Sequence, residues 1–306
     1  MSFRGYLYIA AAALCWAASA GLGKAVFTSR SLLFAHPIPP LDAQILSQTR
    51  VTFSFLILAA LLLIFRGPRS FRVPAPVFRQ CLLLGVLGFA GSNFFYYFAI
   101  EKTAVSTAII VQYTAPAWVL LYMVARRHQR ATWSRSLSVA AAIFGCALAV
   151  GLFTRGVSLV WIGVLSALLA AFSFSFFIIL GRSLVTAYDH WIILLYGLLG
   201  ASLFWLIVHN PLQVAASHYS RAQWLFMLIF AFTSMLVPQS LYFAGLRYLD
   251  PTRAVVTSCL EPVFTILIAA LALGETFAPI QAIGMAIVLA ATIAIQLPQK
   301  QLQIAD

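Results

Sequence analysis

Charge is what this sequence has least of. Only 7 of its 306 residues are acidic, and with 19 basic residues the charged share is 8% against 63% hydrophobic. That balance excludes a water-soluble domain, whose surface needs several times as much charge, and makes the chain an integral membrane protein. Cysteine is scarce as well: Cys15, Cys81, Cys146 and Cys259 show no CxxC spacing and fall in or at the edges of apolar runs, as small packing residues would. The five histidines (His36, His128, His190, His209 and His218) sit in connections or at span ends, which argues against a buried metal site. Walker A, GxGxxG, HExxH and GxSxG patterns are missing, so neither nucleotide-driven pumping nor a familiar hydrolase has support, and no cofactor is expected. Strand-length alternation is absent too, which argues against a β-barrel.

What is present is a series of long apolar runs. A span needs roughly 20 apolar residues to cross about 30 Å of hydrocarbon. Ten fit without overlap, near 6–27, 42–65, 77–99, 104–125, 136–152, 157–181, 190–208, 222–246, 253–273 and 278–297. The formal net charge of +12 follows topology rather than a nucleic acid ligand. Arg66, Arg69, Arg72 and Arg79 fill one connection, and Arg126, Arg127, Arg130 and Arg135 fill another. With the N-terminus inside, the inner segments hold 13 Lys and Arg and the outer ones five, which places both termini in the cytoplasm. A signal peptide cleaved after Ala18-Ser19-Ala20 is rejected, because the apolar run continues to Phe27 and its removal would leave nine spans.

The spans fall into two sets of five that share a local pattern. Tyr97-Phe98-Ala99 followed by Pro116 matches Tyr242-Phe243-Ala244 followed by Pro262, with offsets of 145 and 146 that imply one insertion near Asp250. The chain thus reads as a duplication, residues 1–153 and 157–298, with a short cytoplasmic tail at 299–306. A link at about 153–156 is too short to be flexible, so the halves must pack directly on each other. An odd number of crossings per copy inverts the second relative to the first, the arrangement of many secondary transporters around a midplane site. The fold class is therefore all-α, ten transmembrane helices in two inverted five-helix repeats. Small residues at spacing four, Ala13, Ala17 and Gly21 or Ala141 and Gly145, suit close helix contact.

Glu261 lies eight residues beyond Arg253, roughly 12 Å into its span, where a carboxylate is costly unless paired, protonated or facing water. It is either a functional acid or a structural one locking helices together. Pro262 beside it frees carbonyls of the preceding turn, and Pro116 does the same in the first copy, where Ala115 replaces the glutamate. Arg50, the other deep charge, has a structural role as its first reading, and Lys24 is placed to snorkel. Polar and aromatic groups gather in Ser92, Asn93, Tyr96, Tyr97, Gln112 and Tyr113, and in Ser234, Gln239, Ser240, Tyr242, Thr257 and Ser258. In lipid they should face the bundle interior. Trp16, Trp118 and Trp161 are packing residues, interfacial anchors or members of an aromatic wall.

These residues resemble the drug/metabolite transporter superfamily in its ten-span form of two EamA repeats. The stretch Leu260-Glu261-Pro262-Val263-Phe264 running to Leu273-Gly274-Glu275, then Gln281 and Gly284, is similar to its second-repeat signature. Tyr242-Phe243-Ala244, and Ala170-Ala171-Phe172 with Arg182, also fit. The first copy departs from the pattern, with Gln129 standing where Glu275 stands in the second. Aromatic content looks most like the YddG-type exporters of aromatic amino acids. That resemblance implies alternating access through a cavity formed by spans one, three, four, six, eight and nine. Its expected wall is Trp16, Asn93, Tyr96, Tyr97, Gln112, Tyr113, Ser175, Gln239, Tyr242 and Glu261, with bends at Pro116 and Pro262. The implied protein is a multi-pass exporter of a bacterial-type inner membrane. Its partners would be a small-molecule substrate and the lipid bilayer, with Glu261 available for proton coupling, and a monomer suffices for one cavity. A multidrug or cationic-compound exporter is the nearest alternative. An intramembrane enzyme or a scaffold protein is a more distant one, because no paired nucleophile and base is visible at membrane depth.

Overall fold

The computed structural model describes residues 3–27, 43–151, 160–209, 214, 216, 219–273 and 276–296. Its long helices, among the described residues, are α1 (Phe3–Phe27), α2 (Ala43–Arg66), α3 (Ala75–Lys102), α4 (Val105–Ala125) and α5 (Trp133–Val150) in the first half. The second half has α6 (Trp161–Ala187), α7 (His190–Val208), α8 (Arg221–Leu246), α9 (Pro251–Ser258 continuing as Leu260–Leu273) and α10 (Pro279–Gln296). All but α1 meet the length and hydropathy of a membrane span over their described residues, and α1 adds 25 helical residues with Arg4 and Lys24 as its charges. Boundaries read from the apolar runs hold to a few residues, except that α6 runs on to Ala187. The proposed link at 153–156, the tail, Glu275 and the side chain of Lys24 lie outside the described residues.

Helix ends follow from local chemistry. Thr132, Asp189, Ser220 and Asp250 each accept a backbone N–H as N-caps of α5, α7, α8 and α9, and Ser220 with Gln223 closes a capping box. Large apolar side chains such as Leu56, Ile64, Phe144, Ile207 and Leu271 point outward, where lipid replaces water as their solvent. Trp133 and Trp161 open α5 and α6 and are more than four-fifths exposed, the position of interfacial anchors. Trp161 therefore leaves the list of possible wall residues.

The two halves are interleaved rather than set side by side. Helix α1 packs on α8 and α9 of the second half, and α6 packs in the same way on α3 and α4 of the first. α2 lies against α7 and α5 against α10, each pair joining equivalent helices of the two copies. Contacts repeat at the level of single residues: a Cβ on Gly5 would fall 2.8 Å from Leu249, and one on Gly163 would fall 2.8 Å from Thr103. In lipid this association depends on close packing, since tails are as apolar as leucine. The nearest backbone approach of α5 and α10 occurs at Gly145 and Gly284, where an added Cβ at 284 would lie 2.5 Å from the Ala149 nitrogen.

Two predictions follow from this packing. Gly284→Ala should push α10 off α5 and lower stability by about 1–3 kcal/mol, read as an earlier unfolding transition in detergent than the wild type shows. Asp189 caps α7 and pairs with Arg66 at 2.6 Å, at the end of α2. Burial raises its carboxyl, but the Trp191 N–H and the Arg66 guanidinium outweigh that and hold it below its ordinary value. Stabilisation from a depressed carboxylate is present above the unfolded value of about 3.9 and is lost as pH falls through the folded one. Asp189→Ala should therefore cost about 1 kcal/mol at neutral pH, and the gap to wild type should close when unfolding is followed down to acid.

Candidate functional site

Both halves break their helices at matching places. A π-helical turn interrupts α3 at Leu84–Ala90 and α8 at Phe232–Leu236. The fourth span of each half is cut after Gln112 in α4 and after Ser258 in α9, so that Pro116 and Pro262 begin the second pieces. The turn ends at 90 and 236, the helix starts at 105 and 251, the cuts at 112 and 258 and the prolines at 116 and 262 share one offset of 146. No insertion near Asp250 is needed. The structure pairs Tyr96 rather than Tyr97 with Tyr242, a correction to the tyrosine match made from the YFA strings alone.

Breaking a helix at membrane depth leaves carbonyls to be satisfied, and side chains satisfy them. Thr114 Oγ1 donates to the Val111 carbonyl at 2.6 Å and accepts from Trp118 Nε1 at 3.1 Å. Ser175 Oγ reaches across from α6 to the Ala115 carbonyl at 3.3 Å. In the second half Ser258 donates to Val255, and the Cys146 thiol approaches the Cys259 carbonyl at 3.8 Å. Near the π turns, Ser19 donates to Thr233 at 3.2 Å, Ser54 to Ala231 at 3.0 Å, and Asn93 Nδ2 to Phe89 at 2.7 Å.

Around these breaks lie most of the residues singled out from sequence. Asn93, Tyr96, Tyr97, Gln112, Tyr113 and Glu261 are all half-buried although each lies well inside its span. The Tyr96 and Tyr97 rings are 5.7 Å apart, and Gln112 Nε2 is 3.4 Å from Ser92 Oγ. The Glu261 carboxyl lies within electrostatic reach of the Tyr96 and Tyr113 hydroxyls, with no hydrogen bond or ion pair to it among the described residues. Trp16 is half-buried and its ring sits 5.4 Å from that of Tyr242.

Three expected wall residues are more deeply buried than the others. Tyr242 has no exposed surface and stacks against Phe177 at 5.7 Å, because its turn of α8 is packed between α1 and α6. Gln239 is buried at 8% exposure. Ser175 is buried and spends its hydroxyl on the Ala171 and Ala115 carbonyls. A position along a span does not say which face of a helix meets the neighbour.

Two features were missed. Arg50 Nη2 donates to Asn93 Oδ1 at 2.7 Å, linking α2 to the polar turn of α3. The second is a latch at the basic end of the bundle, where Gln129 accepts from Thr252 at 2.9 Å and from Arg135 at 3.1 Å. Asp250 there sits 3.9 Å from Arg135 and 3.4 Å from Arg253. Gln129, read only as a departure from the repeat pattern, ties the α4–α5 connection to the start of α9. Beside the latch a groove of about 1950 Å³ runs between α4 and α6, lined by Trp118, Phe172 and Ser175 as well as Arg130, Arg182 and Arg253. Ser175 is the only expected wall residue among those lining that groove.

Comparison with known proteins places the architecture. A crystal structure of a protein carrying no further description superposes with TM-score 0.74 at 17% identity, covering 95% of this chain and 97% of that one. At that identity the likeness shows the fold alone. No curated protein sequence matches the chain. The EamA-like transporter family matches twice, over residues 3–151 and 161–297, one match for each five-helix half. With two such matches spanning nearly all of its length, the chain belongs to the EamA-like transporter family and is a multi-pass membrane protein.

Proposed function

We propose that this transporter is a secondary exporter of small metabolites, aromatic amino acids and related compounds foremost, working by alternating access in a bacterial-type inner membrane. The observation that carries the reading is Glu261. It is a mid-span carboxyl at a helix interruption, half-buried, within electrostatic reach of Tyr96 and Tyr113 and without an ion-pair partner among the described residues. An acid kept in that position is available to a substrate ammonium or a coupling proton, whereas one used to lock helices would be hydrogen-bonded to a neighbour. The tyrosines give a planar side chain surfaces to stack on. The matched interruptions of α3, α4, α8 and α9 give each half a place to bend, and the latch around Asp250 and Gln129 is a tie that inward opening would have to release. The groove beside the latch supports an approach to the cavity from the basic, cytoplasmic side.

Transport is tested by counterflow in proteoliposomes loaded with unlabelled tryptophan, phenylalanine, threonine or a lipophilic cation. Selective exchange of the aromatic amino acids supports the reading. A cation-selective result favours drug export, for which Glu261 would be the counter-ion. Glu261→Gln should lower tryptophan exchange about tenfold or more, a loss of at least one charge-assisted hydrogen bond, and flatten its dependence on pH. An unchanged rate and pH profile in the folded variant would remove Glu261 from the mechanism.

A further inference from the structure

Arg50 is a cation without a counter-charge among the described residues. It lies seven residues beyond Ala43 in α2, roughly 10 Å along the helix. A guanidinium carries five donors in a planar fork. Among the described residues this one gives Nη2 to the neutral amide of Asn93 at 2.7 Å, has no carboxylate in ion-pair reach, and leaves Nε buried with no hydrogen-bond partner. An unpaired charge at that depth costs several kcal/mol, so it persists only if something offsets the cost.

Holding the fold together is not that offset. The second half builds the same frame without the cation: α7, the equivalent of α2, contains no Lys or Arg. Gln239, at the place equivalent to Asn93, leaves its Oε1 buried and unpartnered. The two helices pack against each other, one with a cation and one without. What the first half adds is an aimed donor. Asn93 Nδ2 is fixed on the Phe89 carbonyl in the π turn, which leaves Oδ1 to hold the guanidinium from one side. Arg50 is itself only partly buried, as is Asn93. One turn further along α3 stand Tyr96 and Tyr97, and Ser92 brings Gln112 alongside.

We propose that the Arg50 guanidinium, positioned by Asn93, is the carboxylate-binding group of the transport cavity, so that the cargo of this protein carries a carboxylate. A carboxylate accepts two parallel N–H bonds from the fork and cancels the charge that the fold leaves open. The assignment rests on the central-cavity reading above but not on its aromatic cargo. It also divides the labour of the two deep charges: Arg50 reads the acid group of the cargo, and Glu261 serves an ammonium or a proton.

The test is counterflow by the full chain in proteoliposomes with four probes: tryptophan, indole-3-propionate, tryptamine and leucine. Wild type should exchange tryptophan and indole-3-propionate at least about tenfold faster than tryptamine, the ratio one charge-assisted hydrogen bond supplies. Arg50→Gln should erase that preference, the carboxylate probes falling about tenfold relative to tryptamine, and Arg50→Lys should keep part of it, having the charge without the fork. Size-exclusion profile and unfolding temperature establish that each variant is folded; if Arg50→Gln is not, Arg50→Lys decides, and an undiminished preference overturns the proposal. Tryptamine exchanged as fast as tryptophan by wild type, or a preference surviving in folded Arg50→Gln, also overturns it while leaving aromatic export standing. Arg50-dependent exchange of leucine without the indole compounds sinks the aromatic cargo and supports the carboxylate site. No exchange of any carboxylate probe by folded wild type overturns the site.

Discussion

Hydrocarbon offers a backbone no hydrogen bonds, and the structure of this chain depends on that constraint. A span that stays helical meets it without help. One that bends must bring a donor for every carbonyl it frees, and here those donors are named side chains: Ser19 and Ser54 at the second π turn, Asn93 at the first, Thr114 and Ser175 at the interruption of α4. Polar residues are consequently concentrated where helices break, and the breaks are concentrated where the two halves interleave. Glu261 and Arg50 are tolerated in the same zone, which is already polar.

Symmetry of the frame and asymmetry of its contents divide the work. Interruptions, prolines and glycine contacts recur in both halves, so a bend on one side has a counterpart on the other, as an inverted-repeat transporter requires for opening in turn to each face. The charges do not recur. Glu261 faces Ala115 across the duplication, and Arg50 faces an α7 without Lys or Arg. In the proposed transport cycle, movement rests on what the copies share and recognition on what they do not.

Ten spans, two copies and their inversion were legible in the sequence, because apolar length, parity and basic connections are one-dimensional properties. The interruptions beside the two prolines were legible too, since each proline breaks a local rule that holds on either side of it. The deep burial of Tyr242 and Ser175 was not legible, because a helix shows every face to a linear reading and only its neighbours fix which one is buried. The alignment of the copies through the YFA strings went astray by one residue for a similar reason. Tyr96 and Tyr97 are adjacent in sequence, and only the common ends of the π turns show which of them takes the place of Tyr242.

The sequence by itself determined that this chain lives in a bilayer as a duplicated helical bundle, since no other solvent accommodates so many apolar residues with so few charges. Tertiary structure alone decided which polar groups meet. Arg50 and Asn93 are 43 positions apart, and Gln129 and Thr252 are 123 apart. Their pairing depends on how interleaved helices are rotated about their own axes, which is set by packing at distant contacts such as Gly145 against Gly284 rather than by the residues at the site.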